Sequence, residues 1–478
     1  MALTELDQEP GPSHHRPGIP PRRTVTRGER RWIDHWDPEN ADFWSRTGVR
    51  IARRNLIWSI AAEHIGFSVW LLWSAVVIYL PAAGFGFSVN QLFWLVALPN
   101  LVGATLRFPY TFAVPRFGGR NWTVISAMLL LIPLALLTFC VTRPGTPYAM
   151  FLVAAASAGL GGGNFASSMA NISFFYPERR KGFALGLNAA GGNIGVSSVQ
   201  LFVPAIVGLA IVGSASGLHL ENIALLWVPL ALAAAAGAYF CMDNLSEARS
   251  SFRDQLAVAR QPQTWVMALL YVGTFGSFIG YSSALPLLMK TQFPAVHGVY
   301  FAFLGALVGS AFRPVGGWLA DRLGGARITA AVFLAMTMGV GGVIWSVGHH
   351  AFGPFLASFL VLFVLTGLGN GSTYRMIPAI YRTLAGARPG AGSPVPAAGV
   401  SARRQTAAAL GFISAVGAYG GFLVPRALGM SVSNTGGIGA ALVGFVAFYA
   451  ICLVVTWWCY LRRTVLVSRV PSLAHANI

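Results

Sequence analysis

Acidic residues are scarce: 15 Asp and Glu stand against 33 Lys and Arg in 478 residues, and charged residues of every kind make up 10%. Beside 55% hydrophobic residues and a mean hydropathy of +0.62, so thin a charged complement excludes a water-solvated globular surface and implies a polytopic membrane protein in a lipid bilayer. Cysteine is equally sparse. Cys140, Cys241, Cys452 and Cys459 lie in or beside apolar runs without metal-ligand spacing, so they define no metal site and report nothing about redox compartment. The spans hold no His cluster and no nucleophile elbow, so neither an enzyme nor a cofactor is expected. Residues 1–54 contain no short apolar core followed by a small-residue cleavage site, which argues against a cleaved signal peptide. The net charge of +18 does not imply a nucleic-acid partner, because the basic residues sit in short segments between apolar runs.

About twelve apolar runs are long enough to cross roughly 30 Å of hydrocarbon. They begin near Asn55, Gln91, Asn121, Tyr148, Phe183, Ala224, Thr264, Gly298, Arg327, Gly353, Gln405 and Gly437. An even number puts both termini on one side. Arg116, Arg120, Arg179, Arg180, Lys181, Arg249, Arg253 and Arg260 crowd that side, followed by Arg322, Arg327, Arg382, Arg388, Arg403, Arg404, Arg462 and Arg463. The opposite loops hold little beyond Arg143, Lys290 and Arg426, so the termini are expected in the cytoplasm and the protein in the inner (plasma) membrane. The expected division is a tail over 1–54, a six-helix bundle over 55–242, a linker over 243–263, a second bundle over 264–461 and a tail over 462–478. The N-terminal tail is expected to start disordered, with WIDHWDPENADFW against the membrane surface through its aromatics.

Two arginines interrupt the apolar runs, Arg107 in LVGATLRFPYTFAVP and Arg313 in LGALVGSAFRPVGGWLA. A charge at a helix centre costs roughly 2.5–3.5 kcal/mol on insertion scales, so it reads as a functional group facing a protein-lined cavity. Each arginine precedes a Gly-Gly turn by 11 residues, and helical rise over that interval, about 16 Å, puts both near mid-membrane. The two positions are 206 residues apart, as are Gly118-Gly119 and Gly324-Gly325. GLGGGNF from Gly159 pairs with GLGNGST from Gly367, and ALGLNAAGGNIG from Ala184 with ALGFISAVGAYG from Ala409. Such repeats mark an all-α transporter of two related halves with its site between them. Two cations at one depth imply an anion.

The segment GGWLADRLGGARIT, with Asp321 and Arg322, resembles the Gly-x-x-x-Asp-Arg-x-Gly signature of the major facilitator superfamily. Its first-half copy, AVPRFGGRNWT, has Pro115 where the acid is expected. Within that superfamily, GGGNFASSMANISFFYPERRKGFALGLNAAGGNIG and AAALGFISAVGAYGGFLVP resemble the two glycine-rich signature helices of the nitrate/nitrite porters, with LRFPY and GTFGSFIG as further family-like segments. The resemblance implies about twelve transmembrane helices in two pseudo-symmetric six-helix bundles.

It also implies a site in which Arg107 and Arg313 grip the anion, Asn193 and Tyr271 donate hydrogen bonds, and Phe165 and Phe275 sandwich its plane. A planar oxyanion suits the forked guanidinium as it would not suit lysine. Gly186, Gly191, Gly192, Gly195, Gly411, Gly417, Gly420 and Gly421 are expected to serve close packing and hinge motion. Ordinary alternatives stand beside each role: a structural ion pair for the arginines, helix bridging for Asn193, aromatic packing for the rings. No acid but Glu63 lies at the arginines' depth. Glu63 and His64 are candidates for proton coupling, whereas Arg375 and Lys290 read as snorkelling or guiding charges. The expected function is nitrate/nitrite exchange by a monomeric secondary transporter. Proton-coupled nitrate symport, carriage of another small or organic anion, and a non-transporting anion sensor remain as alternatives.

Overall fold

In hydrocarbon every backbone donor and acceptor must find a partner within the protein, and helices achieve this locally. The computed structural model describes residues 31–209, 217–246, 257–386, 395–462, 473–474 and 478. The first helix, α1, runs over Val49–Trp70 and resumes after Leu71 as Leu72–Val76. Eleven further helices are long and apolar enough to cross a bilayer: α2 (Val89–Thr111), α3 (Gly119–Val141), α4 (Tyr148–Phe175), α5 (Glu178–Val207), α6 (Asn222–Cys241), α7 (Pro262–Gln292), α8 (Gly298–Leu323), α9 (Gly325–Gly348), α10 (Phe352–Leu384), α11 (Ala408–Thr435) and α12 (Gly439–Leu461). Helix α1 is the most polar of the set. It starts at Val49 rather than near Asn55, because Arg54 pairs with the buried Asp243 and Asn55 donates to the same carboxylate, so these polar residues belong to a packed helix end. Helix α7 starts at Pro262, which needs no intrahelical partner at a first-turn position.

Helix α2 packs along α4, α1 against α4 and α5, and α3 against α6; in the second half α8 packs along α10 and α9 against α10 and α12. The halves meet along α2–α11 and α5–α8. Away from the termini, hydrogen bonds tie them: Gln200 Nε2 donates to the Ser282 carbonyl at 2.6 Å, Ser197 Oγ to the Phe303 carbonyl at 2.9 Å, and Arg426 Nη1 to Asn90 Oδ1 at 2.9 Å.

Trp36 and Trp44, two of the aromatics in residues 32–44 that the sequence assigned to a membrane surface, are buried within the protein. Trp32–Ile33 forms a parallel two-stranded ladder with Asn244–Leu245, and Trp36 and Trp44 are buried against Phe43, Phe175 and Tyr176. Apolar area buried in protein displaces the interfacial option for these rings. Residues 1–30, and with them most of the expected tail, lie outside the described residues, as do Arg249, Arg253, Arg388 and Arg463. Arg375, read from the sequence as a snorkelling or guiding charge, pairs with the half-exposed Asp321 near the C-terminal end of α8.

The repeat is visible in the backbone. Gly118 and Gly324 close the matching α2–α3 and α8–α9 turns at φ 85°, ψ 149° and φ 92°, ψ 130°, a region open in practice to glycine. The turns differ in surroundings. A Cβ on Gly118 would collide with the Asn244 side chain, whose Oδ1 accepts from the Arg120 and Asn121 amides, whereas one on Gly324 would meet nothing nearer than 3.6 Å. Gly324→Ala should therefore cost only the backbone strain of about 1–3 kcal/mol, and Gly118→Ala more, because a helix cap is lost as well. Thermal unfolding in detergent should rank the midpoints native, Gly324→Ala, Gly118→Ala; equal midpoints for the two variants would contradict the role given to Asn244.

Candidate functional site

Helices α2 and α8 carry Arg107 and Arg313 to the interface between the halves, where the side chains are 0% and 5% exposed. Neither makes an ion pair among the described residues. Arg107 Nε donates to the Gly162 carbonyl at 3.2 Å and Nη1 to the Ser414 carbonyl at 2.9 Å, so one guanidinium spans α4 and α11. Its Nη2 is buried without a partner among the described residues. Arg313 Nη2 donates to the Tyr271 hydroxyl at a long 3.5 Å, and its Nη1 is likewise unpartnered. Leaving such donors dry and unmade is costly. Each half thus contributes one buried terminal nitrogen without a partner among the described residues.

The aromatic residues supply the walls. Phe165 and Phe275 face each other with ring centroids 6.0 Å apart and planes 22° from parallel, and Tyr271 stacks on Phe275 at 5.2 Å and 16°. The Arg107 guanidinium carbon lies 4.6 Å from the Phe165 centroid and 5.1 Å from that of Phe275. Carbon contacts of about 3.5 Å on each face would require roughly 7 Å between rings that hold a planar anion. The observed pair is about 1 Å closer than that, so the space expected from the sequence to hold a planar anion is closed beside the arginine. Asn193 is 1% exposed, and its Oδ1 has no partner among the described residues. With Tyr271, Phe275 and Phe165 also at most 1% exposed, the site is occluded.

Helix α7 is irregular beside these rings. Val272–Gly276 forms a π-helical turn beginning directly after Tyr271, an irregularity that frequently accompanies function. Gly417 on α11 supplies the room Tyr271 needs, since a Cβ there would strike its ring; Gly420 meets Gly276, and Gly421 approaches Ile279 and Asn100. On α5, Gly191 approaches Ile60, Gly192 Glu63, and Gly195 the His64 carbonyl. Gly186 has open space around it and Gly411 only ordinary contact with Thr111, so the close-packing reading fails for these two. Glu63 is buried inside the first half. His64 turns the other way, donating through Nδ1 to the Gly191 carbonyl at 3.1 Å and lining a groove of about 470 Å³ between α1, α5 and α6.

Sequence reasoning missed Tyr374, whose ring lies 5.4 Å from the Arg313 guanidinium carbon, and Trp70, 5.3 Å from that of Arg107. A signal existed for the first. Phe165 and Thr373 occupy matching places in the GLGGGNF and GLGNGST copies, so the neighbour of Thr373 was a site candidate. The π turn and the carbonyls of Gly162 and Ser414 had no sequence signal.

A family model described as the Major Facilitator Superfamily matches residues 64–393. A nitrate/nitrite transporter, NarU, of Salmonella typhimurium is 44% identical over 90% of this chain and 96% of its own. A protein of Thermus thermophilus named "Probable nitrate/nitrite antiporter NarK2" is 36% identical over 90% of this chain and 97% of its own. Among solved structures a D-xylose-proton symporter shares the fold, with a TM-score of 0.62 at 16% identity over 84% of this chain and 96% of that one.

Removing the Tyr271 hydroxyl deletes the sole side-chain acceptor on Arg313 among the described residues. Tyr271→Phe should weaken binding of a small oxyanion about 10-fold, the worth of one hydrogen bond to a charged group. Calorimetric titration of the purified protein with the anion checks this, and unchanged affinity would remove Tyr271 from the site.

Proposed function

Because the chain belongs to the major facilitator superfamily and, within it, to the nitrate/nitrite porters, we propose that it carries nitrate and nitrite by alternating access and exchanges one for the other. It is a multi-pass transporter and not an enzyme. The observation that carries the substrate reading is the pair of buried guanidiniums, each with a terminal nitrogen that lacks a partner among the described residues, beside two nearly parallel phenyl rings. A flat monovalent oxyanion satisfies both nitrogens in its own plane while its faces meet the rings. A tetrahedral dianion would neutralise the arginines better but has no flat face to present.

Exchange follows from the same charges. Two cations in a dry interface repel, and a bound anion relieves part of that repulsion, so the loaded carrier changes face faster than the empty one. In our reading the two halves rock about the α2–α11 and α5–α8 contacts as rigid bundles. The arginine-rich face, with both termini, is assigned to the cytoplasm of the inner membrane by the positive-inside rule, and the working unit to a monomer.

Uptake of labelled nitrate into proteoliposomes preloaded with nitrite, nitrate or buffer alone tests this at equal pH on both sides. Preloading with either anion should accelerate uptake. Arg107→Lys and Arg313→Lys should each lose it by about 100-fold or more, since lysine cannot reproduce the two-pronged donor and a charged hydrogen bond is lost at each site. Robust uptake into buffer-filled vesicles without a pH gradient would rule out exchange.

A further inference from the structure

A proline on α7 leaves a carbonyl for the other half of the protein to satisfy. Pro286 lies inside the outer stretch of α7, Ser277–Gln292, and has no N–H to return to the Ser282 carbonyl four residues earlier. That carbonyl accepts instead from Gln200 Nε2 on α5, at 2.6 Å. The same nitrogen donates to Ser74 Oγ at 3.2 Å, in the Leu72–Val76 segment that continues α1. Gln200, Ser74 and Ser282 are each at most 2% exposed, so the bond is made out of water. Ser74 and Ser282 are 208 residues apart, the interval that separates GLGGGNF from GLGNGST. One buried amide thus joins two repeat-related serines of opposite halves.

The place of this bond sets it apart from the other ties. Helices α1, α5 and α7 all lead away from the face that holds the termini, and Gln200 lies seven residues, about 10 Å, beyond Asn193 on α5. It is therefore on the far side of the arginine site. The Arg426–Asn90 bond belongs to α2–α11 and the Ser197–Phe303 bond to α5–α8, the contacts about which the halves rock in our reading. Rocking preserves those contacts and parts α1 from α7, which pack together through Leu72–Val76 and Ser277–Gln292. Closing that contact also carries a penalty. Gln200 Oε1 and Ser282 Oγ are buried without partners among the described residues, and water entering an open gate would satisfy both.

We propose that Gln200 is the latch of the gate on the face opposite the termini: its amide holds α7 against α1 through the carbonyl that Pro286 leaves unpaired, and the gate opens when water takes the amide's place. Ser282 sits between two irregularities of α7, the π turn at Val272–Gly276 and Pro286, so the latch grips the segment that they flank. The groups it joins are neutral, which makes closure independent of the arginines' charge. Gln200 is in this sense a positioning residue: it touches no substrate and sets how often each face is open. The proposal rests on the rocking of the two halves and adds to it the bond that must break for the far face to open.

Spin labels on Ala82→Cys, in the exposed loop after α1, and Ala295→Cys, in the exposed loop after α7, read the gate. The four native cysteines are replaced by serine, and nitrite-preloaded nitrate exchange is confirmed in that background. Pulsed electron spin resonance then gives the populations of the short, closed distance and the long, open one, with and without nitrate. Gln200→Leu fills the same space without a donor and should raise the open-to-closed ratio about tenfold, the effect of leaving one buried carbonyl unpaired. Pro286→Ala returns an N–H to that carbonyl, so adding Gln200→Leu in the Pro286→Ala background should change the ratio by about twofold or less. An unchanged ratio in Gln200→Leu overturns the latch, and so does an equal shift in both backgrounds, which would detach Gln200 from the proline. Gln200→Ala, which adds no bulk, takes the place of the leucine variant if that protein does not fold. One fixed distance in the native background, with and without nitrate while exchange proceeds, would instead sink the rocking reading and the latch with it.

Discussion

Two buried guanidiniums face one another across the middle of this protein without a carboxylate between them, and most of the architecture can be understood as what makes that arrangement tolerable. Arg107 is held by the carbonyls of Gly162 and Ser414 and by three aromatic faces, those of Phe165, Phe275 and Trp70. A desolvated cation over an aromatic face gains about 2 kcal/mol or more. The rings that close the space between the halves therefore also hold the arginine, two of them stacked within 6.0 Å of each other.

Such an arrangement demands backbone proximity, because a carbonyl can reach a guanidinium on another helix only where the helices nearly touch. Glycine makes that approach feasible where α4 crosses α2, at Gly159 and Gly163, and the same device brings α5 to α1 at Gly191, Gly192 and Gly195 and α11 to α7 at Gly417 and Gly420. In hydrocarbon, where the hydrophobic effect cannot drive helices together, small residues that permit close van der Waals contact are the main packing device available. The glycine-rich signatures are thus not a separate feature from the arginines. They are the packing that lets α7 and α11 wrap the cation site so tightly that Tyr271 and Phe275 are fully buried.

The parts legible in the sequence were those with a penalty attached. Arg107 and Arg313 stood out because charge in an apolar run is expensive, Gly118 and Gly324 because they repeat at the same interval, and the helices because their length is set by the bilayer. What stayed hidden has no compositional signature. The π turn at Val272–Gly276 is a choice between near-equal helical geometries, and Tyr374 is one tyrosine among 13. The docking of Trp36 and Trp44 depended on a cleft formed by Phe175 and Tyr176, far away in the chain. The pairing of Arg375 was hidden for a related reason: its partner Asp321 lies 54 residues earlier, on another helix.

The repeat is kept in the backbone and broken in the chemistry, and the breaks fall at the site. Phe165 matches Thr373, Asn193 matches Ala418, Glu63 matches Tyr271, and Pro115 matches Asp321. A perfectly symmetric cavity would present the same groups twice and suit a ligand with its own two-fold axis. The arginines are duplicated, one buried cation from each half. The groups around them are unmatched: rings from Phe165 and Phe275, a hydroxyl from Tyr271, an amide from Asn193 and a carboxyl from Glu63. Because Glu63 belongs to one half only, whatever charge it carries acts on the two arginines unequally.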